Sequence, residues 1–157
     1  MSAIRYAQVK HNDVANGEGV CVSFWTQGCP HKCKGCHNPE TWDFNGGLEF
    51  NDSVIQEILE AIPENGIERS FSILGGEPLA EQNLDMVLSV ISSVRDNFPN
   101  IHIYLWTGYT LEEISSNSKA VSIISKVNTL IDGRFIEEQM ELGLRLRGSR
   151  NQRIIEI

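Results

Sequence analysis

Four short apolar runs in this 157-residue chain each break off at a glycine-bearing turn, and helical periodicities fill the gaps between them. The runs lie near residues 20–26, 71–74, 101–106 and 127–131, and their β-branched and aromatic side chains give them strand character. They lead into a cysteine-rich loop opened by Gly28, then Gly75-Gly76-Glu77-Pro78, Thr107-Gly108-Tyr109 and Asp132-Gly133. Val54, Ile55, Ile58, Leu59 and Ile62 share one helical face, with Asp52 or Ser53 as the cap and Pro63 to Gly66 as the stop. Leu84, Val87, Leu88, Ile91 and Val94 share another, ended by Phe98-Pro99. Thr110-Leu111-Glu112-Glu113 is a capping box, and residues 118–126 read as a further helical turn or two. Strand and helix in alternation predict an α/β fold with a mostly parallel sheet. In such sheets the site lies beyond the carboxyl ends of the strands, where all four turns fall. The chain is expected to form one domain over 1–157, with a cluster loop at 28–38. It is too short for a closed eight-fold (β/α) barrel, which needs roughly 200 residues.

The four cysteines are Cys21, Cys29, Cys33 and Cys36, and three of them fall in the run Cys29-Pro30-His31-Lys32-Cys33-Lys34-Gly35-Cys36. Thiols at C-x3-C-x2-C spacing can converge from one loop on one metal site, and such a cluster is more often metal-binding than disulfide-forming in a reducing compartment. Closed iron–sulfur and zinc sites want a fourth ligand. Cys21 lies in a strand with Ser23 and Trp25 on its face, and reads either as a packed thiol or as that ligand. His31 and His37 flank the loop, but the C-x2-C with H-x3–5-H spacing of a zinc finger is absent. With three protein ligands, one metal position stays open for chemistry.

Hydrophobic residues make up 41% and charged residues 22%, a globular composition. The net charge of −8 argues against a general nucleic-acid binder. Met1 to Tyr6 holds no apolar run of signal-peptide length, and no window approaches the roughly 18 apolar residues of a membrane span. A cytoplasmic location is expected, with neither nucleic acid nor membrane as partner. Charge is segregated: residues 145–153 carry Arg145, Arg147, Arg150 and Arg153 and no acid, leaving −12 on the remainder. This tail reads as a solvated surface or as a contact with a cofactor carboxylate or an acidic partner. Glu137, Glu138 and Glu141 read as a solvated face.

Cys29-x3-Cys33-x2-Cys36 followed by Gly75-Gly76-Glu77-Pro78 resembles the radical S-adenosylmethionine (SAM) superfamily. Asn16-Gly17-Glu18-Gly19, Gly35-Cys36-His37-Asn38, Thr41-Trp42, Trp106-Thr107-Gly108-Tyr109, Asp132-Gly133-Arg134-Phe135 and Arg147-Gly148-Ser149-x-Asn151-Gln152-Arg153 resemble, in order, the family that activates anaerobic ribonucleoside-triphosphate reductases. His37 stands where relatives often carry Tyr, and Gly35 where many superfamily members carry an aromatic.

That resemblance implies a partial, open β/α barrel and a [4Fe–4S] cluster on Cys29, Cys33 and Cys36. It implies SAM contacts at Gly35, Cys36, His37, Gly75, Gly76 and Glu77, with Gly75 and Gly76 clearing space for the methionyl end and Glu77 accepting from its ammonium. The implied activity is that of a radical SAM oxidoreductase. Reductive cleavage of SAM would give a 5′-deoxyadenosyl radical, which takes hydrogen from a glycine of the large reductase subunit. An electron donor such as flavodoxin is implied, and no side chain need act as acid or base. The alternatives are an activator of another glycyl-radical enzyme, such as pyruvate formate-lyase, and a non-catalytic metal-binding module.

Overall fold

Residues 4–36 and 38–157 are described by a computed structural model. The strands are β1 (Arg5–Asp13), β2 (Cys21–Thr26), β3 (Leu48–Glu49), β4 (Ser70–Gly75), β5 (Ile103–Trp106), β6 (Thr129–Asp132) and β7 (Arg153–Glu156). The α-helices are α1 (Asp52–Ala61), α2 (Leu84–Asn97), α3 (Leu111–Ile114) and α4 (Ser118–Ile124). One sheet takes all the strands in the order β3-β1-β2-β4-β5-β6-β7. Its centre, β2-β4-β5-β6, is parallel, as strand–helix alternation requires. Its margins are antiparallel: β1 on β2, β3 on β1, and β7 on β6. These margins were not expected. In β1 only Tyr6 and Asp13 are buried, so its sequence carries little apolar signal, and β7 begins at the last arginine of the charged tail.

Side-chain alternation sorts the sheet into two unlike faces. Val22 and Phe24, Phe71 and Ile73, Ile103 and Leu105, and Leu130 join one apolar core with Val54 and Ile58 of α1, Val87, Val90, Ile91 and Val94 of α2, and Ile123 of α4. The helices therefore cover one face. The opposite face mixes small polar side chains with aromatic ones, such as Ser23, Ser72, Tyr104 and Trp106, and is covered by loops. Ser72 Oγ donates to Asn16 O at 2.6 Å, Trp106 Nε1 donates to Leu146 O at 2.8 Å, and the Tyr104 hydroxyl accepts from Glu18 N at 3.4 Å. Arg145 and Glu18 form an exposed ion pair that joins the two loops.

Cys21 belongs to this second face. It is fully buried, and its Sγ donates to Asn16 O at 3.3 Å. Burial pushes its thiol up to about 11, so it stays protonated.

The helix ends follow local chemistry. The α1 cap is Asn51, one residue before the expected pair, with its side chain accepting from Ser53 N at 2.9 Å. Thr110 and Glu113 complete the expected capping box at α3. Thr110→Ala should cost about 1 kcal/mol in urea unfolding; an unchanged midpoint would show that the box contributes nothing. No helix among the described residues is long and apolar enough to cross a membrane.

Candidate functional site

A cavity of about 410 Å³ opens beyond the carboxyl ends of β2, β4, β5 and β6, within the size range of small-molecule sites. Cys29, Cys33, Cys36, Gly75, Gly76, Glu77, Thr107, Gly108 and Gly133 all line it, with Trp42, Trp106, Leu146 and Arg147. The four post-strand turns thus meet in one place. A second cavity, of about 660 Å³, lies against residues at the amino ends of β2, β4 and β5 and holds none of the expected site residues.

The cysteine loop is pinned at its root. Gly28 N donates to Thr41 O at 2.6 Å and Cys29 N to Trp42 O at 3.1 Å. Burial pushes the Cys29 and Cys33 thiols up, opposed by backbone hydrogen bonds from His31 and Phe135 respectively. Cys36 Sγ accepts from Asn38 N at 3.4 Å. Among the described residues no three His, Cys, Asp or Glu side chains stand close enough together to hold a metal ion. The thiols share a cavity without being drawn into a triad. The donor set itself fits an iron–sulfur site: three thiols from one loop border a single cavity, and a fourth protein thiol is remote and protonated. The buried Trp42 Nε1 on the wall has no acceptor among the described residues, a donor that a bound ligand would satisfy.

Gly75 and Gly76 serve a close approach of backbone to backbone. A Cβ on Gly75, whose φ is +130°, would sit 2.4 Å from both Thr26 N and Thr26 O. A Cβ on Gly76 would sit 2.6 Å from Gly28 O. The space on the Cβ side of these glycines is filled by the end of β2 and the root of the cysteine loop, and both residues also line the cavity where the methionyl group was expected. Glu77 N donates to Gly28 O at 2.8 Å across the same seam.

Glu77 is 1% exposed, and each of its oxygens already accepts two hydrogen bonds. Oε1 takes His31 Nε2 at 2.7 Å and Gly108 N at 2.7 Å; Oε2 takes Thr107 Oγ1 at 2.6 Å and Leu79 N at 2.9 Å. The ammonium contact expected of Glu77 therefore meets a carboxylate satisfied by its own chain.

Gly35 is exposed and is not among the cavity-lining residues; a Cβ there would meet Glu137 Oε2 at 2.8 Å. His37 lies outside the described residues. The tail divides. Ser149 is fully buried, Gln152 Oε1 accepts from Gly148 N and Ser149 N, and Gln152 Nε2 donates to Gly133 O at 3.0 Å. Arg153 Nε donates to the buried Asp132 at 2.9 Å and its other nitrogens pair with Glu112. These contacts fasten β7 and the tail to the end of β6, so much of the segment belongs to the fold. Arg150 is exposed, and Arg147 faces the cavity. Sequence reasoning gave no role to Thr107 within its motif and offered His31 only as a zinc ligand; both prove to be partners of Glu77.

A family model described as a 4Fe-4S single cluster domain matches residues 15–155. The chain is 37% identical over 150 residues to an anaerobic ribonucleoside-triphosphate reductase-activating protein of Haemophilus influenzae, covering 95% of this chain and 96% of the relative. Proteins of the same name from Escherichia coli K12 and Enterobacteria phage T4 are each 33% identical, over 95% and 96% of this chain and 96% and 93% of theirs.

Proposed function

The chain belongs to the family of anaerobic ribonucleoside-triphosphate reductase-activating proteins, and from that membership we propose that it is a radical SAM enzyme that installs a glycyl radical on the large reductase subunit. The observation that carries this reading is the meeting of Cys29, Cys33 and Cys36 with the other three post-strand turns on one cavity. In this reading the single domain over 1–157 is a partial, open barrel working in the cytoplasm, with electrons from a donor such as flavodoxin.

Cys29, Cys33 and Cys36 would hold a [4Fe–4S] cluster, with SAM bound beside it. This pair would supply the reductive cleavage of SAM and the radical chemistry directed at a glycine of the reductase. The chain binds, orients and excludes water. Leu74, Trp106 and Leu146 form apolar wall, and the seam of Gly75 and Gly76 against Thr26 and Gly28 fixes the cysteine loop relative to it. Glu77 contributes as the tie between loops. No residue needs to move a proton.

Arg147 supplies the polar anchor. Its Nη1 donates to Gln152 O at 3.2 Å and its Nε faces Arg145 O at 3.4 Å, while Nη2 has no acceptor among the described residues. With Glu77 satisfied internally, Arg147 is the charged side chain on the wall with a donor to spare, and it takes the methionyl carboxylate. A hydrogen bond to a charged group contributes roughly 1.5–3 kcal/mol, so Arg147→Gln should weaken SAM binding about tenfold or more with little change in Tm. Arg150→Gln should leave SAM binding unchanged. Intact SAM cleavage in the Arg147 variant, with a radical yield on the reductase that falls as salt rises, would move Arg147 to the docking surface instead.

The function as a whole is tested by anaerobic reconstitution with iron and sulfide, followed by dithionite, SAM and an assay for 5′-deoxyadenosine. A colourless protein that retains zinc and releases no deoxyadenosine would make it a metal-binding module.

A further inference from the structure

We propose that His31 is a positioning residue, a strut that fixes the cysteine loop against the turns of β4, β5 and β6 and so sets where the Cys29 and Cys33 thiols stand. The inference rests on the cluster reading above. His31 sits midway between these two cysteines, and its side chain is 4% exposed. One ring nitrogen meets Glu77 Oε1 at 2.7 Å, and the other accepts from Arg134 Nε at 3.1 Å. Because Nδ1 accepts, the ring proton is on Nε2 and is donated to Glu77. The ring also lies edge-on to Tyr109, with centroids 4.5 Å apart. A Cβ on Gly108 would come within 2.5 Å of the ring, so glycine at that position is what lets the imidazole dock.

Each contact joins the loop to a different strand end: Glu77 follows β4, Gly108 and Tyr109 follow β5, and Arg134 follows β6. The link to sulfur is short along the chain, because His31 lies two residues from both Cys29 and Cys33. Fixing the ring fixes the stretch of backbone that carries the two thiols. Outer groups that orient metal ligands affect metal affinity by roughly 10–100-fold when removed. The Glu77 carboxylate is the hub because it is buried and saturated, so the imidazole cannot leave without stranding an acceptor.

The test uses the metal-free chain and the reconstituted protein together. In the metal-free chain, 15N spectra should show the Nε2–H tautomer, and the Gly108 amide should be protected from exchange. His31→Leu should lose that protection and bind iron about tenfold more weakly or worse, with an altered electron paramagnetic resonance signal from the reduced cluster. His31→Gln keeps an N–H near the Nε2 position and should restore most of the iron affinity and the wild-type signal. Val90→Ala, on the buried face of α2, controls for stability: it should lower Tm and leave the signal unchanged. Wild-type iron affinity and signal in His31→Leu overturn the proposal, as does a loss that Val90→Ala reproduces at equal Tm. An Nδ1–H tautomer in the metal-free wild type also overturns it. A wild-type chain that takes up no iron defeats the cluster reading instead.

Discussion

Cys29→Ala, Cys33→Ala and Cys36→Ala are each expected to give a folded chain that assembles no [4Fe–4S] cluster and cleaves no SAM. The three thiols are partly buried on a loop at the edge of the cavity and outside the apolar core, so alanine removes a proposed ligand without opening that core. With three ligands and no spare thiol on the cavity wall, loss of one leaves a cluster with two anchors. Cys21→Ala separates ligation from packing. Its sulfur is fully buried on the loop-covered face of the sheet, is not among the cavity-lining residues, and is hydrogen-bonded to Asn16 O. That variant should lose about 1 kcal/mol of stability and keep both cluster and cleavage. Iron and sulfide per chain, visible absorption and deoxyadenosine yield measure all four variants. Cluster retention in the Cys33 variant with loss in the Cys21 variant would reverse the assignment.

Gly76→Val should fail first as a fold. A Cβ there meets the Gly28 carbonyl oxygen at 2.6 Å and Thr26 O at 3.1 Å, both main-chain atoms of the neighbouring strand end. Neither can rotate away as a side chain would. Overpacking of this kind costs about 3 kcal/mol, a fall in Tm of roughly 6–12 °C for a chain of this size. Gly75→Ala adds a φ of +130°, poorly tolerated by a residue with a Cβ, to a 2.4 Å clash. In both variants weakened SAM binding should appear only together with lost stability. A Gly76→Val protein with normal Tm and no SAM affinity would show that the glycine clears space for the ligand after all.

The parallel half of the sheet was legible because its information is local. Val22 and Phe24, or Ile58 and Ile62, announce strand and helix within a few residues. The antiparallel margins were not, because strands near a sheet edge carry mixed polar sequences, as β1 does, which meets its outer neighbour β3 only at Arg5 and Tyr6. Alternation placed Cys21 with Ser23 and Trp25, yet every residue of β2 is buried, so hydropathy could not say which face met the helices. The site was legible in its parts and not in its wiring. Glu77 stood out as the acid after two glycines, but its partners His31 and Thr107 lie 46 and 30 residues away. The tail shows the same limit. Counting charge found four arginines together, whereas the fold sends Arg145 to Glu18 and Arg153 to Asp132 and leaves Arg147 at the cavity.

The long reach of those ties has a consequence for when the protein becomes competent. The cysteines leave the ribosome early, but Arg134, which holds the far side of the His31 ring, lies 103 residues downstream. Closing a loop of that length is slow and entropically costly until the intervening elements have formed. The thiols therefore acquire fixed positions only when the last strands dock. Iron that meets the chain during synthesis meets a flexible peptide, and orderly loading belongs to the period after folding is complete.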